Sequence, residues 1–262
     1  MTGTGTWWPA VWGATRYEFR MQVRRRGLWV TLALLGGLVL TDLLTGQNFT
    51  RDMSVAFVAG NWAMVVNAIL CLGVGILLAD RLTRDRRINV VELFGTLPAP
   101  GGGRLCGKFL GATLATAVPV ALVYGAGLVA VTLRWGDPRA IPLGLAAFAT
   151  VILPGLLFVG ALSVSGPAFV WGPLYQFLFV FYWFWGNLLA PNMLGPRSQL
   201  PTPSATWITP LGGNAAGGFF GVYWFRRATA LDGVLSVTLL LLCAALILVG
   251  TQGYLQRRQT GQ

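Results

Sequence analysis

The chain contains no histidine. Imidazole proton relays, histidine metal sites and Ser-His or Cys-His catalysis are therefore excluded. Acids are scarce, with eight Asp and Glu against nineteen Arg and Lys, and Lys108 is the single lysine. Charged residues make up only 10% of the chain, against about 25% in soluble domains. The three cysteines, Cys71, Cys106 and Cys243, show neither CxxC nor metal-ligand spacing. They read as small apolar fillers, with no disulfide frame and no metal site. Paired carboxylates or a nucleophile with its base are not visible either, so no catalytic residue is assigned and an intramembrane enzyme has no support.

What is abundant is apolar length. The chain is 55% hydrophobic with a mean hydropathy of +0.66, and several stretches reach the roughly 20 residues needed to cross a hydrocarbon core of about 30 Å. The expected fold is all-α, a polytopic integral membrane protein forming one transmembrane domain over 1–262. Six spans are expected, at about 28–46, 55–79, 109–133, 141–162, 168–190 and 233–255. The first ten residues are uncharged, with no basic leader and no cleavage site, so the first span is expected to be retained. An interfacial helix over 11–27 precedes it. There Trp12, Phe19 and Val23 form an apolar stripe beside Arg16, Arg20 and Arg24, which can reach membrane lipid headgroups.

Charge sets the expected orientation. With the N-terminus inside, thirteen basic residues face the cytoplasm: Arg16, Arg20, Arg24, Arg25, Arg26, Arg81, Arg84, Arg86, Arg87, Arg104, Lys108, Arg257 and Arg258. Six face outward: Arg51, Arg134, Arg139, Arg197, Arg226 and Arg227. The bias places both termini in the cytoplasm. In a membrane protein the net charge of +11 reports topology first, and no aromatic-interleaved basic groove points to nucleic acid.

The outer segment 191–232 begins proline-rich and ends, at 211–225, as an apolar, glycine-rich stretch too short to span. It is expected to form a re-entrant or interfacial hairpin, or else a loop on the headgroups. Intramembrane polar residues are few. Asp42, Asn61, Asn67, Gln176 and Asn187 are candidates for a substrate pathway or for hydrogen bonds between helices. The expected fifth span is crowded with aromatics from Trp171 to Trp185, which fits interfacial placement and packing, or equally the lining of a lipid-like substrate route. Gly102–Lys108 has the spacing GxxxxGK, but Phe109 stands where a P-loop needs Ser or Thr, and an apolar span follows. Nucleotide binding by this chain is therefore not expected.

The remaining stretch, from Asp80 to Gly111, carries about a third of the positive charge between two spans. Within it 88–97 reads as a short helix with Val90, Phe94 and Leu97 on one face and Leu93 beside them. Pro98, Pro100 and the glycines 101–103 are expected to stop that helix. An apolar-faced helix flanked by arginines is suited to being gripped by a partner, although a solvated basic loop obeying topology rules would carry the same charges.

This stretch resembles the signature between the second and third spans of type 2 ABC exporter permeases. Arg84, Asp85, Arg86 and Arg87 match the charged run; Glu92, Leu93 and Phe94 match the helix. Pro98 matches its stop, and Gly107 with Lys108 the start of the next span. Asn89 and Val90 depart from the usual Gly-Thr before the glutamate, and the glycine-rich insert after Pro100 is a second departure. The resemblance implies a coupling helix docked on a separate ABC ATPase subunit, present in two copies, with a second permease copy or a related permease completing the complex. Val90, Leu93, Phe94 and Leu97 would supply packing, and Arg84, Arg86, Arg87 and Glu92 orientation. No cofactor is expected in this chain, since ATP and Mg would belong to the partner. The implied function is export of a hydrophobic or amphipathic substrate across a bacterial cytoplasmic membrane. A non-transporting scaffold or an ion-coupled secondary transporter are the alternatives.

Overall fold

The computed structural model describes residues 7–45, 52–87, 101–187, 213–222 and 228–260, and these contain helices and turns but no strand. In chain order the helices are α1 (Trp7–Val23), α2 (Arg26–Thr45), α3 (Val55–Arg87), α4 (Gly101–Trp135), α5 (Ala140–Ala147), α6 (Leu153–Ser165), α7 (Gly172–Asn187), α8 (Gly213–Phe220) and α9 (Ala230–Thr260). A π-helical turn, Phe148–Ile152, links α5 to α6, and the 3-10 turn Gly166–Ala168 follows α6.

Five helical stretches are long and apolar enough to cross a membrane: Arg26–Thr45, Val55–Ala79, Gly102–Trp135, Ala140–Ala168 and Ala230–Arg257. The chain is therefore a multi-pass helical membrane protein. The fifth expected span, 168–190, lies partly outside the described residues, which stop at 187. The 3-10 turn and Gly172 delay its start, and α7 covers 16 described residues, about 24 Å at 1.5 Å per residue.

α3 lies at the centre. Within its spanning stretch 72% of the residues are buried, against 22% for α9 and 28% for α2. Glycines let large rings approach it. A Cβ on Gly127 of α4 would collide with Trp62, and one on Gly75 of α3 would collide with Phe179. The buried rings also satisfy their polar atoms, as they must where no water competes. Trp62 Nε1 donates to the Tyr124 carbonyl at 3.2 Å, and Tyr124 Oη donates to the Gly144 carbonyl at 2.8 Å.

The aromatic helix α7 is two-faced. Tyr175, Phe179 and Trp183, one turn apart, stack with centroids 6.0 and 5.7 Å apart and pack onto α3. Trp171, Phe177, Phe181 and Phe184 remain exposed. Of the roles open to these aromatics, packing therefore accounts for the buried ring stripe.

The helix ends have local causes. Gly136 at φ +66° closes α4 and Gly221 at φ +70° closes α8, a left-handed conformation that glycine adopts without steric cost. At the start of α9, Thr229 and Asp232 cap each other: the Thr229 N–H and hydroxyl donate to Asp232 Oδ2 at 2.9 and 3.0 Å, and the Asp232 N–H donates to Thr229 Oγ1 at 3.3 Å. At the far end of α2, the Arg134 guanidinium donates to the Leu43 and Leu44 carbonyls at 3.0 and 3.2 Å, a cation on helix-terminal carbonyls.

Candidate functional site

Contacts between helices place most of the basic segments at one end of the bundle. α1 runs beside the first turns of α4 in the same direction, since Gly103 faces Trp7 and Val11, Gly107 faces Val11 and Ala14, and Gly111 faces Thr15 and Glu18. Gly102 meets Gln252 near the end of α9. Gly73 meets Leu32 and Leu35, so α3 runs antiparallel to α2 and its last turns come to the same end. Arg16, Arg20, Arg24, the 81–87 arginines, Arg104, Lys108 and Arg257 therefore gather there.

The loop expected at 80–108 is shorter than its sequence suggests. α3 continues past Ala79 to Arg87 and α4 starts at Gly101, so Arg84, Arg86 and Arg87 ride on the last turn of α3. Val90, Glu92, Leu93, Phe94 and Leu97 lie outside the described residues, as does the whole 88–97 helix. Gly101–Gly103 do not lie in a breaker loop; they are the first helical residues of α4. Two helices packing on either side favour helix there over the intrinsic preference of glycine for turns.

The P-loop-like spacing gains a structural reading at this place. Gly103, Gly107 and Gly111 form a small-residue stripe on which α1 lies backbone to backbone. A Cβ on Gly107 would stand 2.6 Å from the Val11 carbonyl oxygen, and one on Gly111 2.5 Å from that of Thr15. The contact also shows which face of α1 packs on protein. Its buried residues are Val11, Thr15, Glu18 and Gln22, whereas Trp12 is 69% exposed and Phe19 and Val23 are half-buried. The close approach selects residues for their fit to a glycine surface and tolerates polar ones, so the packed face is not the apolar stripe. Thr15 satisfies itself by donating to the Val11 carbonyl at 2.8 Å.

The intramembrane polar residues do not converge on one route. Asn67 is fully buried. Its Nδ2 donates to the Val151 carbonyl inside the π turn at 3.4 Å, and its Oδ1 accepts from the Cys71 thiol at 2.8 Å. The π turn has its own cause in Pro154, which lacks an N–H for the α-helical ladder; the Leu153 N–H instead reaches back five residues to the Phe148 carbonyl. Gly155 leaves the room for the Asn67 amide, which a Cβ would meet at 2.5 Å. Gln176 Nε2 donates to the Ile76 carbonyl at 3.3 Å, tying α7 to α3.

Asn61, Asn67 and Ile76 are strung along α3 over 15 residues, about 22 Å. Asp42 lies elsewhere. It borders a cavity of about 360 Å³ between α2 and α3, lined also by Leu38, Thr41, Thr45, Val65 and Ile69. Val65 and Ile69 are on the side of α3 opposite Asn67, by the 100° per residue of an α-helix. Asn61 is buried, and Asn187 ends α7. Of the five candidates, Asn67 and Gln176 thus join helices, and Asp42 borders the cavity between α2 and α3.

Part of the segment expected to form an outer hairpin or surface loop is described. α8 (Gly213–Phe220) is tucked between α3 and the start of α9: a Cβ on Gly60 would stand 2.5 Å from Phe220, and Gly218 lies against Thr229 and Gly233. Ala215, Ala216, Phe220 and Val222 are buried. The rest, 191–212 and 223–227, lies outside the described residues.

Sequence reasoning missed Thr15, Glu18 and Gln22 as buried polar residues, and it missed the glycine stripe that covers them. The four-residue glycine spacing was the signal available. Comparison with known protein families and with curated proteins finds no match.

Proposed function

We propose that this chain is the permease subunit of an ATP-driven exporter. In this reading a separate ATPase docks on the 88–97 segment and drives alternating access for a hydrophobic or amphipathic substrate. The observation that carries it is the length of the central helix pair. α3 has 33 residues and α4 has 35, about 50 Å each, against an apolar core of about 30 Å. The surplus carries Arg81, Arg84, Arg86 and Arg87 on one helix and Arg104 and Lys108 on the other, two stiff rods whose near ends flank the 88–97 segment in sequence. One of those rods, α3, is the most buried of the five spanning stretches. A push on the linker would therefore reach α2, α6 and α7 directly through packed side chains. Asn67, between α3 and the π turn, lies on that path.

Affinity purification in mild detergent, followed by mass spectrometry, tests the reading. It expects a stoichiometric soluble subunit with an intact GxxxxGK[ST] motif, and a second permease chain or copy. Replacing Phe94 and Leu97 together by Asp should abolish that co-purification. A chain that purifies alone under gentle conditions would return the weight to a scaffold or a secondary transporter.

A further inference from the structure

The exposed side of α1 carries cations and indoles but no acid. Its one carboxylate, Glu18, is 3% exposed and turned onto α4. Arg16, Arg20 and Arg24 are exposed, and Trp8 and Trp12 are 70% and 69% exposed. Trp8, Trp12, Arg16 and Arg20 recur every fourth position on α1, so they form one ridge about 18 Å long that turns by about 40° per step, and Arg24 follows in the turn after the helix. The ridge cannot roll or lift away, because the backbone of α1 is seated on Gly107 and Gly111 of α4. It leads at Arg24 and Arg25 straight into the first membrane-spanning helix, which begins at Arg26.

We propose that this ridge binds anionic phospholipid headgroups. The arginines meet phosphate oxygens in their two-pronged geometry, and the indoles lie at headgroup depth. The two exposed tryptophans distinguish it from a surface for an acidic soluble protein: their amphipathic rings favour the membrane interface, and cation clusters beside a first span are suited to an anionic leaflet. The chemistry differs from that expected of an apolar stripe lying in lipid. Here the helix is anchored by protein and offers lipid its charged side. The proposal does not depend on the exporter reading.

The test uses the full-length protein in mild detergent, supplied with phosphatidylglycerol or phosphatidylcholine, with retained lipid read by native mass spectrometry. Phosphatidylglycerol should be retained preferentially, and added salt should weaken the preference. The triple variant Arg16→Gln, Arg20→Gln, Arg24→Gln should lower phosphatidylglycerol retention at least about tenfold, while Arg139→Gln, an exposed arginine at the opposite end, should leave it unchanged. A triple Gln variant that holds phosphatidylglycerol like the wild type overturns the proposal. So does one that loses only a soluble partner. Should the triple variant fail to fold, the single variants Arg16→Gln, Arg20→Gln and Arg24→Gln carry the test: partial loss of the phosphatidylglycerol preference in them supports the ridge, and full retention in all three overturns it.

Discussion

The indole of Trp183 on α7 donates to the carbonyl of Ala68 on α3 at 2.7 Å, and the tryptophan is fully buried. This contact joins the aromatic helix to the central one and combines ring volume with a hydrogen bond. The two contributions can be separated. Trp183→Phe should cost about 1 kcal/mol, the value of one interhelical hydrogen bond, whereas Trp183→Ala should cost about 3–5 kcal/mol through the cavity it leaves. Unfolding midpoints in detergent check both, and equal losses would show that the ring volume contributes little.

The glycines of α4 divide by what surrounds them. Gly111→Leu would drive its side chain into the backbone of α1, which cannot rotate aside, and overpacking of this kind costs about 1–3 kcal/mol. Hydrogen exchange over 7–23 should rise in that variant and stay unchanged elsewhere. A Cβ on Gly125 would meet no atom within 4 Å, so Gly125→Ala should be neutral or stabilising by about 0.4–1 kcal/mol.

Asn67 holds the π turn. Asn67→Leu removes the donor to the Val151 carbonyl and the acceptor for the Cys71 thiol, leaving buried polar groups unpaired at about 1–3 kcal/mol. Cys71 is fully buried and should resist maleimide in the folded wild type. Faster labelling in the Leu variant is the expected outcome, and an unchanged rate together with an unchanged midpoint would count against Asn67 as the latch.

Sidedness is open to the same chemistry. Single cysteines at Arg84 and Arg139, introduced into a chain whose own cysteines are replaced, should label with an impermeant maleimide from opposite faces of the membrane. The basic end is expected inside, so Arg84→Cys should label only after the membrane is opened.

The sequence alone determined the class and most of the spans, because a helix that crosses lipid must be apolar over its whole length and that property is written locally in the residues. Five of the six expected spans fall within helices long and apolar enough to cross a membrane. The helical start of α4 at Gly101 was not legible, because glycine reads as a turn former until a neighbouring helix needs its missing side chain.

Only the tertiary structure decided which faces meet. Thr15, Glu18 and Gln22 turn inward because α4 offers glycine opposite them, and Trp12 turns outward for the same reason. Asn67 gains its role from a π turn that lies 84 residues away in sequence. Such choices depend on the shape of a partner surface, and a single segment read by its own periodicity contains no record of that surface.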